Sequence, residues 1–92
     1  MAELIRTDGT VETVSPKNGK TFSLAEMYEL IGCSLVQVVY LADGRIMWLD
    51  EEGKFKEHYR NEQATLLLEQ AGGAFGDYVA GNALICENTE VN

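Results

Sequence analysis

Hydrophobic positions between residues 16 and 50 recur first at helical spacing and then as a nearly unbroken strand-like run. Ser23 and Glu26 form a capping box, in which each side chain satisfies the other residue's backbone N–H, and Gly32 provides the left-handed stop. The apolar positions between these signals are three or four residues apart, as on one face of a helix: Leu24, Met27, Tyr28 and Ile31. This pattern predicts a short helix that docks onto a sheet.

Two Asp-Gly pairs, each between short apolar runs, predict two β-hairpins. Asp8-Gly9 separates strands predicted at 3–7 and 10–14, and Asp43-Gly44 separates strands predicted at 35–41 and 45–49. Both positions of a tight two-residue hairpin turn require positive φ. Asp-Gly is a typical sequence for such a turn because these two residues tolerate that conformation. The β-branched and aromatic composition of 35–41 is typical of a central strand.

A second helix and a final strand complete the predicted elements. Asn61 is a good N-cap, the apolar stripe after it continues to about Gln70, and glycines 72 and 73 stop the helix. Residues 78–86 predict a last strand, which Gly81-Asn82 interrupts. Residues 87–92 form a polar tail that we expect to fray.

These elements predict a single α+β domain over residues 1–92, in the order β-β-α-β-β-α-β. The simplest arrangement is a mixed or antiparallel sheet of four or five strands with both helices on one face. A small half-open barrel is the alternative. A domain of this size has little surplus stability, so a homo-oligomer that covers a sheet edge is a further expectation.

The chain is acidic, with a formal charge of −8 and a pI near 4.4. That charge repels a phosphate backbone, so we expect no direct nucleic-acid binding. The acidic residues are dispersed, which favours a solubilising role over an acidic decoy for a basic groove. No apolar run reaches the ~20 residues of a membrane span, and the cysteines lack paired spacing. These features predict a cytoplasmic protein with no membrane association.

No catalytic or metal-binding pattern is present. The single histidine, His58, lies in a polar stretch, and this setting predicts that its side chain is solvated. Asp50, Glu51 and Glu52 are consecutive, so their carboxylates point in different directions and cannot converge on one cation. The run therefore predicts a solvated turn, not a cation site. We therefore expect no catalytic residues, no metal and no cofactor.

A binding surface is the remaining interpretation, and it rests on aromatic, cationic and amide side chains. Stacking against a base or a partner side chain could involve Tyr40, Trp48, Tyr59 and Arg60. Ordinary core and sheet-edge packing is the alternative, and it is the preferred interpretation for Tyr40. Asn82 within a strand needs hydrogen-bond partners if buried, from either a bulged backbone or a ligand. The predicted ligand-binding residues are Trp48, Tyr59, Arg60, Asn61 and Asn82.

Four ordered segments carry a family resemblance: PKNGKTFSLAEMYELIG, VVYLADGRIMWLDEEGK, NEQAT and the final D-x-x-x-GNALIC. Together they resemble a family of short bacterial, phage and mobile-element proteins grouped as a domain of unknown function similar to DUF3846. The resemblance covers the chain from Ile5 to Cys86. It implies a small accessory protein, and its setting implies interaction with a host, including inhibition of a defence system.

We therefore expect a non-enzymatic binding protein. One version captures a nucleotide-like small molecule, such as a defence signal, at a subunit interface; the other binds a host protein through an acidic face. The alternatives are a small hydrolase that uses scattered carboxylates, and an assembly domain with no ligand.

Overall fold

The computed structural model describes residues 2–41, 43–56, 58–72 and 77–90, and for Asn88 the backbone only. Its five strands are β1 (Ala2–Ile5), β2 (Val11–Val14), β3 (Val36–Tyr40), β4 (Ile46–Asp50) and β5 (Ala83–Cys86). Its two α-helices are α1 (Leu24–Ile31) and α2 (Glu62–Gln70), and short 3₁₀ turns span Gly53–Phe55 and Asn88–Glu90. The predicted α+β class is confirmed. No helix in the described ranges is long and apolar enough to cross a bilayer.

All five strands form one antiparallel sheet in the order β2-β1-β5-β4-β3. The two hairpins, β1-β2 and β3-β4, are joined by β5, which pairs with β1 on one side and with β4 on the other. The sheet therefore has β2 and β3 at its edges and the last strand of the chain at its centre. Every residue of β5 is buried.

The two helices lie on opposite faces of the sheet, so the prediction of both on one face is wrong. Alternate residues of β5 belong to different cores. Ala83 and Ile85 pack in one cluster with Ala64 and Leu68 of α2. Leu84 and Cys86 pack in the other cluster, which contains the α1 residues Met27 and Ile31.

The composition of the central strands explains this arrangement. Successive side chains of a strand point to opposite faces, and β4 carries large apolar residues at both parities. Met47 and Leu49 face the α2 core, whereas Trp48 packs against the α1 core. A helix on one face alone would leave the other set of apolar side chains in water, at a cost of about 25 cal/mol per Å².

Both helix starts are as predicted. The Ser23 hydroxyl accepts a hydrogen bond from the Glu26 N–H, and the Glu26 carboxylate accepts one from the Ser23 N–H, both at 3.2 Å. Gly32 ends α1 with φ of 82°. At α2, the Asn61 side-chain oxygen accepts from the Ala64 N–H at 3.1 Å. Local capping chemistry therefore sets where both helices begin.

The two hairpin turns are of one kind, but not the predicted two-residue kind. In the first, the Gly9 N–H donates to Arg6 O and the Arg6 N–H donates to Thr10 O. Only the glycine has positive φ, at 91°, so the loop has three residues and a glycine bulge. The same bonds recur around Gly44, whose φ is 90°. An Asp carboxylate accepts the N–H two residues on in both turns, which replaces the need for positive φ at aspartate.

The polar tail folds back at residues 88–90 instead of fraying. Glu90 is buried, and its carbonyl accepts a hydrogen bond from the Phe22 N–H at 2.7 Å. Its carboxylate also accepts from the Glu87 N–H at 3.0 Å. The tail thus contributes to the ordered connection that leads into α1; residues 91 and 92 lie outside the described residues.

Candidate functional site

The chain that follows β4 wraps closely around the end of the sheet. Gly53 begins a 3₁₀ turn so near to residue 80 that a Cβ at this glycine would lie 2.6 Å from the Ala80 carbonyl oxygen. Farther along, Arg60 forms an isolated antiparallel bridge with Ala80, and the Gly81 N–H donates to Tyr59 O at 3.0 Å. Main-chain contacts therefore hold both ends of residues 53–60, the segment we call the basic–aromatic segment.

Asp50 anchors the inner side of this segment. It is 3% exposed, and its carboxylate accepts hydrogen bonds from Lys56 Nζ at 2.9 Å and from the Glu52 N–H at 2.9 Å. The His58 Nε2 atom lies 3.2 Å from the same carboxylate. The predicted solvated turn is therefore wrong at Asp50, which is the buried hub of the segment.

The electrostatics of Asp50 agree with this geometry. Burial raises the pKa of its carboxyl group, but the hydrogen bonds from Lys56, the Glu52 N–H and His58 together outweigh burial and lower the pKa below its usual value. The hydrogen bond to Asp50 in turn raises the pKa of Lys56. Each charge thus favours the charged form of the other, and Asp50 is an anion at neutral pH.

His58 is exposed, in agreement with the prediction of a solvated side chain, but contacts on two sides hold its ring in place. One ring nitrogen contacts Asp50. The ring also lies against Gly81, where a Cβ would come within 3.2 Å of His58 Cδ2. A glycine at residue 81, with φ of 91°, therefore makes room for the imidazole as well as for the turn of the chain.

A cleft of about 170 Å³ lies beside the segment, on the α2 face of the sheet. Its floor includes Val39 and Leu49, and its rim includes Lys54, Phe55 and Tyr78. The Tyr78 ring has two cations near it. Lys54 Nζ is 4.9 Å from the ring centroid and Arg60 Cζ is 5.5 Å from it, both within cation–π range.

The cations at this rim are paired, but mostly by exposed carboxylates. Lys54 pairs with Asp77, and that hydrogen bond lowers the pKa of the Asp77 carboxyl. Arg60 pairs with Glu62 at 3.0 Å. Exposed pairs of this kind are worth at most about 1 kcal/mol, so a bound anion can displace the carboxylate. Lys56 differs, because its partner Asp50 is buried.

Two aromatic side chains of the segment project into solvent. Phe55 is 91% exposed and Tyr59 is 82% exposed. Neither ring belongs to either core cluster. Rings of this size are usually buried because their exposure forfeits hydrophobic free energy. The segment therefore combines two unusually exposed rings with the cations of Lys54, Lys56 and Arg60.

The structure brings together four of the five sequence-predicted site residues. Tyr59 and Arg60 lie on the segment, and Asn61 follows directly. The Asn61 Nδ2 atom donates to Ile5 O and to Gly81 O, both at 3.0 Å, and its Oδ1 atom caps α2. The Asn82 side-chain oxygen accepts from the Thr7 N–H at 3.3 Å. The protein itself therefore uses the Asn61 amide, whereas Tyr59 and Arg60 face outward.

Trp48, the fifth predicted residue, lies elsewhere. It is partly buried against the α1 core, on the face opposite to the cleft. Its indole Nε1 is buried and has no hydrogen-bond partner of normal geometry among the described residues. Burial raises the pKa of the neighbouring Cys86 thiol, and the Trp48 indole acts in the opposite direction. Trp48 is thus a core-facing residue of β4.

Sequence reasoning missed Asp50, Lys56 and Phe55 as parts of one site. The alternation of basic and aromatic residues in the segment, KFKEHYR, is the sequence pattern that could have indicated this site. The contact between Asp50 and the later cations depends on how residues 53–60 turn back, which no local pattern specifies. Tyr78 was assigned to the final strand, but it precedes β5 and lines the cleft.

Comparison with known proteins identifies the domain. A family model for a domain of unknown function, DUF3846, matches residues 3–92. The chain belongs to this family. The DUF3846 match includes the cleft, the basic–aromatic segment and Asp50, so the candidate site lies within the family domain. No curated protein and no solved structure matches the chain.

The thiols of this DUF3846 domain are not activated. Burial raises the pKa of Cys33, and the nearby Asp50 carboxylate raises it further. A thiol with a raised pKa is a poor nucleophile at neutral pH. Within the described ranges, no three His, Cys, Asp or Glu side chains are grouped so that they could hold a metal ion.

Proposed function

We propose that this protein is a non-enzymatic binding protein that captures a small nucleotide-like ligand on the basic–aromatic segment and its adjoining cleft. The observation that carries the proposal is the exposure of Phe55 and Tyr59, at 91% and 82%, between basic side chains. A planar ring stacks on such aromatic groups, and an anionic group pairs with the cations beside them. Nucleotides combine both features.

The distribution of charge supports a small ligand over a polynucleotide. Residues 53–60 contain three of the seven Lys and Arg residues and one acidic residue, Glu57, which gives this segment a formal charge of +2 (3 − 1) in a chain of −8. A long phosphate backbone would experience the negative charge of the whole protein. A single nucleotide would contact only the segment and its adjoining cleft.

The size of the cleft indicates how the ligand would bind. Pockets that enclose drug-sized ligands typically measure about 300–1,000 Å³, so the observed 170 Å³ would accommodate only part of a nucleotide. The exposed rings at the rim would cover the remainder. In the phage or mobile-element setting that the resemblance implies, such capture would remove a host defence signal.

Isothermal titration calorimetry at low salt tests the proposal directly. The titrants are linear and cyclic nucleotides, the matching nucleosides without phosphate, and inorganic phosphate. We expect saturable heat with at least one nucleotide and weaker binding of its nucleoside. Phe55→Leu and Tyr59→Leu remove a ring but keep apolar bulk, and each should weaken binding about tenfold, because stacking contributes about 1–3 kcal/mol per base.

The matched controls are Phe55→Tyr and Tyr59→Phe, which keep a ring and should keep most of the affinity. Absence of heat across the whole panel, or equal loss in the ring-keeping and ring-removing variants, would overturn the proposal. A basic host protein that co-purifies in a salt-sensitive manner in place of a nucleotide would support the other binding mode.

The contact between Asp50 and His58 favours one second candidate, a hydrolase with His58 as general base. A buried carboxylate 3.2 Å from one ring nitrogen orients an imidazole as acid–base histidines are oriented. Turnover that persists through purification and disappears in both His58→Ala and Asp50→Ala would establish this activity. Turnover that the variants retain would exclude His58 as its base.

A further inference from the structure

We propose that a second copy of this chain pairs with β3, antiparallel and about a two-fold axis through Val38, so that two five-stranded sheets join into one. β3 is an edge strand, and its neighbour β4 occupies only one of its two sides. An unpaired edge is a template for another strand. The composition and register of β3 indicate that the partner strand is its own copy.

The unpaired backbone groups of β3 belong to alternate residues. The Leu41 N–H donates to Arg45 O at 2.9 Å, and the Glu51 N–H donates to Leu35 O at 3.1 Å, so odd-numbered residues of this strand bond to β4. In an antiparallel pair the intervening residues point their N–H and C=O groups outward. Val36, Val38 and Tyr40 therefore present their backbone groups at the open edge.

A register centred on Val38 uses all of these groups. It places Val38 opposite its own copy and Val36 opposite Tyr40 of the other chain, and each pair exchanges two main-chain hydrogen bonds. A register centred on Gln37 would leave Tyr40 without a counterpart in β3. Aromatic and β-branched residues are also a favourable cross-strand pair. The sequence V-x-V-x-Y is thus complementary to itself.

The charge of the protein favours a second copy at this edge. Residues 33–41 contain no charged residue, although the chain carries −8. Two acidic chains repel each other wherever their carboxylates come close. They can approach more easily along residues 33–41, which carry no charge. A basic partner, in contrast, would find no carboxylate along β3 to pair with.

The two sheet edges differ in a way that supports this assignment. β2 has Glu12 in its centre, paired with Arg6. Charges at an edge discourage further pairing. β3 has none, and its side chains remain partly uncovered, with Val38 37% and Tyr40 72% exposed. A second copy would cover both.

Sedimentation equilibrium from about 1 to 200 µM tests the pairing. We expect a mass of twice 10.2 kDa at the upper concentrations, and no weakening of association in added salt, because salt screens repulsion between the acidic chains. Val38→Lys sets two lysines opposite each other and should weaken association at least tenfold. Val11→Lys, the matched change on β2, should leave it unchanged.

Amide hydrogen exchange of the unmodified protein provides a readout that does not depend on how the variants fold. The amides of Val36, Val38 and Tyr40 should become at least tenfold better protected as protein concentration rises, while those of Gln37 and Val39 stay constant. A mass of 10.2 kDa at every concentration, protection that does not change with concentration, or equal effects of the two lysine variants would overturn the proposal.

Discussion

Replacement of Asn61 by alanine is expected to lower the free energy of unfolding by about 3 kcal/mol. The side chain is 1% exposed and connects three elements, because it caps α2 and donates to the Ile5 carbonyl at the end of β1 and to the Gly81 carbonyl shortly before β5. Loss of an N-cap costs about 1 kcal/mol, and each buried carbonyl left without its donor costs about 1–3 kcal/mol. In a domain of this size the midpoint of thermal unfolding should fall by roughly 10–20 °C.

Urea and thermal unfolding, at one fixed protein concentration, measure this effect. Asn82→Ala is the matched control, since it removes the same amide from a half-buried position with one 3.3 Å bond, and it should cost less than about 1 kcal/mol. If the two variants were equally destabilised, Asn61 would not be the structural hub described above. Nucleotide binding by the Asn61 variant, measured below its melting temperature, should be unchanged.

Substitution of Asp50 by asparagine is expected to cost about 2–4 kcal/mol of stability at neutral pH. The change leaves Lys56 and His58 beside a buried amide in place of a carboxylate. Hydrogen bonds to a charged group contribute about 1.5–3 kcal/mol each, and the two cations left behind are partly exposed. Asparagine retains an oxygen that can accept the Glu52 N–H. Asp43→Asn, in an exposed turn, is the matched control and should destabilise the protein clearly less than Asp50→Asn does.

The pH dependence of this difference identifies its cause. The folded pKa of Asp50 lies below the unfolded value of 3.8, so the carboxylate stabilises the fold fully above that value. Its contribution is lost as pH falls below 3.8 and through the folded pKa. The difference in unfolding free energy between the unmodified protein and Asp50→Asn should therefore be present at about pH 5 and shrink below pH 4. A difference that stays constant down to pH 2 would indicate altered packing instead of lost charge.

Local chemistry made the helices and hairpins predictable. The Ser23 and Asn61 caps act within four residues of their own helices, and both Asp-Gly pairs do turn the chain. The exact turn type was missed because the aspartate side chains bond to the backbone and so remove the need for positive φ. Such signals operate over a few residues, and sequence alone contains them.

The side on which each helix docks was predicted wrongly, although β4 contained the relevant information. Met47 and Trp48 are adjacent and both large, so they require cover on both faces. Asp50 was missed for a different reason. Its burial depends on Lys56 and His58 returning to it, and that return is set by the fit of Gly53 against Ala80. Tertiary contacts of this kind leave no local pattern.

The central position of β5 has a consequence for synthesis of the protein. β1 and β4 do not neighbour each other in the sheet; β5, which follows both of them in the chain, lies between them. While the chain is still growing, the two hairpins share no strand, and both helices lack the middle of the surface on which they pack. The sheet therefore cannot close until β5 has been synthesised, and until then the growing chain exposes the apolar faces of its hairpins to chaperones.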